Sequence, residues 1–206
     1  MNIIKAVLFD FDGVMTTDKS GTESISKYIS KETGIEKSIF ENEYRKFNYE
    51  LSNGKTTHFE IWESLCKNIG VNIPIEILYD SFYNTPIDNE MYKIVSNIKN
   101  QKIKTGLITD NKADRIDYIN KNFNLSEVFD IMAVSGELGY GKESEKIFEY
   151  TLKKLNINPA EAIFIDNQEK NLIIPEKMGI NTIFFSDKER DINNLKNQLK
   201  EYGITI

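Results

Sequence analysis

The spacing of apolar positions changes period along the chain. Ala6-Val7-Leu8-Phe9 is an unbroken apolar run, the signature of a short strand buried on both faces, and it predicts a strand over 3–9. From residue 24 the period becomes helical. Ile25, Tyr28 and Ile29 predict a helix over 24–32. Ile39, Phe40, Tyr44 and Phe47 predict one over 36–47, and Phe59, Ile61, Trp62, Leu65 and Ile69 one over 56–69. A fourth helix is predicted over 75–83. From residue 89 helices and strands alternate: helices over 89–100, 113–123, 143–155, 169–178 and 187–201, and strands over 104–109, 131–134, 162–165 and 182–185. Pro175 has to bend the 169–178 helix or lie in its first turn, and Gly179 stops it.

Strands alternating with helices predict an α/β fold, a parallel sheet with helices on both faces. The stretch between the first and second strands has little strand character. Its four short amphipathic helices predict a small bundle with an aromatic interior. The chain is therefore divided into a core of residues 1–15 and 89–206 and an inserted helical unit of residues 16–88.

Composition narrows the possible functions. The chain has 206 residues, a formal charge of −6 and scattered basic residues, so nothing resembles a footprint for nucleic acid. No apolar run is long enough to span a bilayer, and the first residues do not read as a secretory signal. The single cysteine, Cys66, excludes a disulfide within the chain and is expected as a buried hydrophobe in a cytoplasmic protein. The single histidine, His58, is expected at the surface at the start of a helix. A monomer or a homodimer is expected.

The informative pattern lies at the carboxyl end of each strand. The first ends in Asp10 and Asp12, one residue apart, before Gly13. The second ends in Thr109-Asp110-Asn111, and the fourth in Asp166-Asn167. Gly139-Tyr140-Gly141-Lys142 places a lysine at the start of a predicted helix. Parallel strands put their carboxyl ends on one side, where ligands of open α/β sheets bind. Carboxylates and an amide without a His or Cys cluster favour a hard cation, Mg2+ over Zn2+. A lysine and a threonine hydroxyl suit phosphate. A carboxylate can also attack as a nucleophile, with a second one managing the proton.

These motifs resemble the haloacid dehalogenase-like hydrolases, and the likeness runs through the whole chain. Phe9-Asp10-Phe11-Asp12-Gly13-Val14 looks like the family's first motif. The resemblance implies that Asp10 is the nucleophile and Asp12 the general acid/base, with the Asp10 carboxylate and the Asp12 backbone carbonyl on Mg2+. Leu107-Ile108-Thr109-Asp110-Asn111 looks like the second motif, in which Thr109 binds the phosphoryl group; Asp110 and Asn111 beside it are expected to contact substrate. Residues 135–142 look like the third, with Lys142 steadying nucleophile and phosphate. Residues 163–171 look like the fourth, with Asp166 and Asn167 completing the metal site. Two departures stand out. The fourth motif commonly reads Asp-Asp, so Asn167 removes a charge from the metal site. Glu143 stands where a proline often comes after the lysine, and it is expected to begin the helix.

The resemblance implies a Rossmann-like core with a C1-type cap. The segment from Asn53 to Trp62 resembles the subgroup of small sugar-phosphate and nucleotide phosphatases and the phosphatase domain of bifunctional epoxide hydrolases. The expected activity is Mg2+-dependent hydrolysis of a small phosphorylated metabolite through an aspartyl-phosphate. Phosphomutase and haloacid dehalogenase are the alternatives on the same fold. A binding module that has kept the fold without catalysis is the alternative of another class.

Overall fold

A computed structural model describes residues 3–206. Five strands form one parallel sheet: β1 (Ala6–Phe9), β2 (Lys104–Thr109), β3 (Ile131–Val134), β4 (Ala162–Asp166) and β5 (Asn181–Phe184), in the order β3-β2-β1-β4-β5. β1 lies at the centre, with Phe9 opposite Leu107 on one side and Ile165 on the other. The chain leaves β1 where the strand order reverses, and this topology opens a crevice at the carboxyl ends of β1, β2 and β4.

Residues of period two divide the core between the faces of the sheet. Val7, Phe9, Ile163 and Ile165 pack with α6 (Asn89–Asn100), α7 (Ala113–Phe123) and α12 (Ile192–Glu201). Ala6, Leu8, Ala162 and Phe164 face α10 (Glu145–Leu155), whose Ile147, Phe148, Leu152 and Leu155 fill that side. The α/β layering expected from the sequence is the observed one.

Between β1 and α6 the chain forms five helices: α1 (Gly21–Thr33), α2 (Lys37–Arg45), α3 (Asn48–Ser52), α4 (His58–Ile69) and α5 (Ile75–Tyr83). The helix expected over 36–47 is α2, which ends at Arg45; the chain turns at residues 46–47 and a further short helix, α3, not expected from the sequence, starts afresh. Phe40 stacks on Tyr44 with ring centroids 5.6 Å apart, and the Trp62 indole N–H donates to the Ile73 carbonyl at 2.7 Å. Cys66 is buried beside it. Thr57 and Glu60 close a capping box at the start of α4.

Short helices at α8 (Leu125–Val128) and α9 (Ser135–Leu138) carry no periodicity to predict them. The expected 169–178 helix is a single tight turn followed by α11 (Ile173–Lys177), with Pro175 within its first turn. Lys142 lies in the loop before α10 rather than at a helix start. Ser144 caps that helix, and Glu143 instead accepts from the Gly141 N–H at 3.0 Å.

The two chain crossings into the inserted helices run side by side. Thr16 pairs antiparallel with Ile87, and the Asp88 N–H donates to the Met15 carbonyl at 2.8 Å. Arg190 clamps both crossings. It donates to the carbonyls of Gly13, Val14 and Thr16 at 2.8–3.0 Å and to Asp88 Oδ2 at 2.6 Å. The expected helix over 187–201 begins only at Ile192, because residues 187–189 form a turn that presents Arg190, at φ 46°, to this clamp, and Asp191 caps the helix.

Burial raises the Asp88 pKa, but the Arg190 guanidinium and two N–H groups of α6 outweigh it and hold the carboxyl below its ordinary value. A carboxyl with a depressed folded pKa stabilises the fold above its unfolded pKa, about 4, and loses that contribution as pH falls through the folded value. Asp88→Asn is expected to cost about 1–2 kcal/mol at neutral pH. It should also flatten the loss of Tm below about pH 4, measured by thermal melts across pH.

Candidate active site

The chain after Phe9 winds into one five-residue turn, Phe11–Met15, closed by the Thr16 N–H on the Phe11 carbonyl at 3.2 Å. Gly13 has φ 87°, and a Cβ there would collide with the Asn167 carboxamide. This turn fixes where the two acids go.

Asp10 sits at the end of β1 and is buried. Its Oδ1 receives the Lys142 ammonium at 2.8 Å, and the same nitrogen lies 2.7 Å from Asp166 Oδ2. Burial, and then the nearby Asp166 charge, push the Asp10 carboxyl up to about 8 against the pull of Lys142. Burial works against the Lys142 charge too, but Asp10, Asp166 and Asp110 outweigh it and raise its pKa. Thr109 ends β2 beside them, buried.

Asp12 faces the other way. Arg115, fully buried on α7, grips it with Nη1 on Oδ2 at 2.8 Å and Nη2 on Oδ1 at 3.0 Å. Asn111 Nδ2 also donates to Asp12 Oδ2 at 2.8 Å. Asn111, expected on substrate, instead spends both ends of its amide on Asp12, Thr109, Arg115 and the Lys112 N–H. Asp110 is exposed, and its Oδ1 accepts from the Lys142 backbone N–H at 2.8 Å, so it shapes the lysine loop.

Asp166, expected among the metal donors, is occupied elsewhere. Its oxygens accept from Lys142, from Asn171 Nδ2 at 3.1 Å and from the Gln168 N–H at 2.8 Å. Asn167 stands closer to a cation's place. One terminal atom of its carboxamide lies 3.3 Å from both Asp10 Oδ2 and the Asp12 backbone carbonyl. With the amide nitrogen there, Asn167 donates to both. With its oxygen there, three oxygens of different residues converge and present an all-oxygen donor set that fits a hard cation such as Mg2+. Only one of the three is charged.

Asp10, Asp12, Thr109, Asp110 and Lys142 line one cleft of about 120 Å³ with Lys19, Ser20, Gly21, Thr22, Lys112, Gln168, Lys170 and Asn171. A larger hollow of about 690 Å³ beside Trp62 and Ile73 shares none of these residues. Arg115 and Lys112 are not legible as functional positions in the sequence, although both come closely after the Thr109-Asp110-Asn111 segment. Lys112 is nine-tenths buried, and burial together with the Arg115 charge draws its ammonium down to about 8.

The inserted helices are tied to the same part of the core. His58 is fully buried rather than at the surface. It donates from Nδ1 to Asp114 at 2.7 Å and receives the Tyr44 hydroxyl on Nε2 at 2.6 Å. Burial holds its pKa below the ordinary value, against the pull of Asp114. Tyr79 stacks on Tyr118 with centroids 4.6 Å apart. Gly54, at φ 64°, rests so near the Gly136 carbonyl that a Cβ would clash.

Comparison with known proteins places this geometry. Residues 4–179 match the model of the haloacid dehalogenase-like hydrolases. Bifunctional epoxide hydrolase 2 of Rattus norvegicus is 23% identical over 215 residues, covering 94% of this chain and 38% of that protein. The chain spans well under half the length of the curated relatives it matches. A HAD family enzyme of Bacteroides thetaiotaomicron superposes with a TM-score of 0.74 at 22% identity, covering 94% of this chain and 98% of that one; it has also been solved with magnesium and inorganic phosphate. L-2-haloacid dehalogenase of Xanthobacter autotrophicus superposes with a TM-score of 0.66 at 15% identity, covering 89% and 78% of the two chains. At these identities the structures speak for the fold. The match over 4–179 settles the family: the chain belongs to the haloacid dehalogenase-like hydrolases.

Proposed function

We propose that the protein is a Mg2+-dependent phosphomonoesterase acting on a small phosphorylated metabolite, and that residues 16–88 serve as a cap over its active site. The observation that carries this reading is the convergence of Asp10 Oδ2, the Asp12 carbonyl and the Asn167 carboxamide next to Lys142 and Thr109. A halide-displacing enzyme needs no metal; an oxygen cluster around the nucleophile serves phosphoryl transfer. Asp10, the Asp12 carbonyl and Asn167 would hold the cation, which when bound supplies positive charge against the phosphoryl oxygens. The complexed structures of the Bacteroides enzyme support the same choice.

In this reading Asp10 attacks phosphorus, forming its bond to the phosphoryl group as the ester P–O bond breaks. Lys142 orients Asp10 and, with Thr109, holds the phosphoryl oxygens. Asp12 gives its proton to the departing alkoxide. Ionised again, it takes a proton from the water that cleaves the acyl phosphate. Arg115 and Asn111 are positioning residues for Asp12. Their grip fixes both carboxylate oxygens of Asp12 in place. The lack of a carboxylate at Asn167 is the one feature favouring dehalogenation as a second reading, since displacement of a halide needs no metal.

Purified protein should release phosphate from a panel of phosphorylated metabolites with Mg2+ and stop on chelation. Asp10→Asn should reduce turnover by at least about a thousandfold while Tm stays in the native range. Chloride release from 2-chloropropionate in the presence of chelator would instead establish the dehalogenase reading.

Asn167→Asp tests the donor set without turnover. It should tighten Mg2+ about tenfold or more by calorimetry. Without Mg2+ it should lower Tm, because a second carboxylate then faces Asp10, and Mg2+ should restore it. An unchanged Mg2+ titration takes Asn167 out of the site.

Arg115→Met and Arg115→Lys test the positioning role. If the guanidinium places Asp12, kcat/KM should fall more for alkyl phosphates, whose leaving group needs the proton, than for p-nitrophenyl phosphate. The expected difference is about a hundredfold. An equal loss on both substrates would mark Arg115 as structural only.

A further inference from the structure

The charged groups of the cleft are not all paired. Asp10 is matched by Lys142 and Asp12 by Arg115. The Lys142 ammonium is shared with Asp166. Lys112 makes no such pair. It lines the same cleft, is 7% exposed, and its ammonium has no ion-pair or hydrogen-bond partner among the described residues. Lys19 and Lys170 line the rim, exposed and without an ion-pair partner among the described residues.

Lys112 is built to stay where it is. Its backbone N–H is held by Asn111 Oδ1 at 3.0 Å, and Gly136 packs against its Cα. Its ammonium lies 5.9 Å from the centroid of the Tyr44 ring, a residue of the inserted helices. The Tyr44 hydroxyl is committed to His58, so it offers the substrate no hydrogen bond. Lys112 thus stands on the side of the cleft toward the insertion. That side receives the part of a substrate that does not react, once its phosphoryl group lies against Asp10 and Thr109.

Asp12, Asp114 and Asp110 act on the Lys112 ammonium only from a distance; a buried ammonium without a direct partner is costly, and a neutral substrate closing over it would deepen the cost. An anionic substituent would remove it through a charge-assisted hydrogen bond. We propose that Lys112 recognises a second anionic group, a carboxylate or a further phosphate, on the substrate. The substrate class is then a phosphorylated acid or a bisphosphate rather than a phosphorylated neutral alcohol. This rests on the phosphomonoesterase reading and narrows it.

Phosphonates separate the two claims because they bind without being hydrolysed. The probes are phosphonoacetate, 3-phosphonopropionate and 4-phosphonobutyrate, each against the alkylphosphonate of equal length, titrated calorimetrically with Mg2+ into the intact protein. At least one phosphonocarboxylate should bind about tenfold or more tighter than its alkyl match. Lys112→Met should collapse that ratio toward one, and Lys112→Arg should keep most of it. Equal affinities in the wild type, no binding of any probe, or a ratio that survives in Lys112→Met overturns the proposal. An equal loss on both members of a pair would assign Lys112 to the phosphoryl group and also overturns it. Phosphate release from p-nitrophenyl phosphate by the same preparation reports separately on the phosphomonoesterase reading.

Discussion

The Lys142 ammonium, held between the carboxylates of Asp10 and Asp166, is the interaction on which the site depends. β1 and β4 are adjacent parallel strands in register at Phe9 and Ile165, so the sheet itself forces the next residues of each, two acids, into one buried corner. Two carboxylates and one ammonium leave a net negative charge with little water to solvate it. Burial first, and then the Asp166 charge, keep the Asp10 pKa high, and both make an added positive charge beside Asp10 favourable. The loop that delivers Lys142 is pinned in turn by Asp110 and by Glu143 on Gly141. Both acids hold the backbone of this loop and so place one nitrogen.

The start of α7 is the second organising element. Within five residues it presents Asn111 and Arg115 to Asp12, Lys112 to the cleft and Asp114 to His58 of the insertion. Asn111 lies just before the helix and Arg115 in its first turn; Arg115 Nη1 donates to Asn111 Oδ1 at 3.0 Å, and the two meet on Asp12 as a pair. Asp114 points to the insertion instead. The inserted helices are therefore joined directly to α7, the element that holds Asp12 and Lys112. The route is short and physical: one buried histidine, one carboxylate and one turn of helix.

The fold was largely legible in the sequence, and the reason is local. Ala6 to Phe9 is apolar throughout because a central parallel strand is buried on both faces. The α6, α7 and α10 stripes show because one face of each helix meets a single core. The elements that escaped, α3, α8, α9 and the split before α11, are too short to display a period, and tertiary contacts define them. The same division holds in the site. Residues at strand ends, Asp10, Thr109 and Asp166, could be picked out by position, and they converge. Whether a side chain faces substrate or a neighbour is decided across the fold. Asp166, Asp110 and Asn111 serve neighbours, and His58 is buried, for that reason. Arg115 and Lys112 left no local mark, since a lysine and an arginine at the start of a helix look like surface charge until another part of the chain closes over them.

Two features of the charge near Asp10 act in the same direction. Asn167 stands where an aspartate would add a negative charge, and Arg115 sets a guanidinium behind Asp12. With Lys112 unpartnered, the cleft is less negative than a site of the same plan carrying an aspartate at residue 167 and an uncharged residue at 115. A cation alone gains less from such a site, and an anion gains more. Under the proposed function the substrate's own phosphoryl charge then makes up what Asn167 lacks, so that cation and substrate each bind better in the other's presence. Arg115 fits the same logic: the guanidinium that positions Asp12 also lowers the cost of bringing a multiply charged anion against two aspartates.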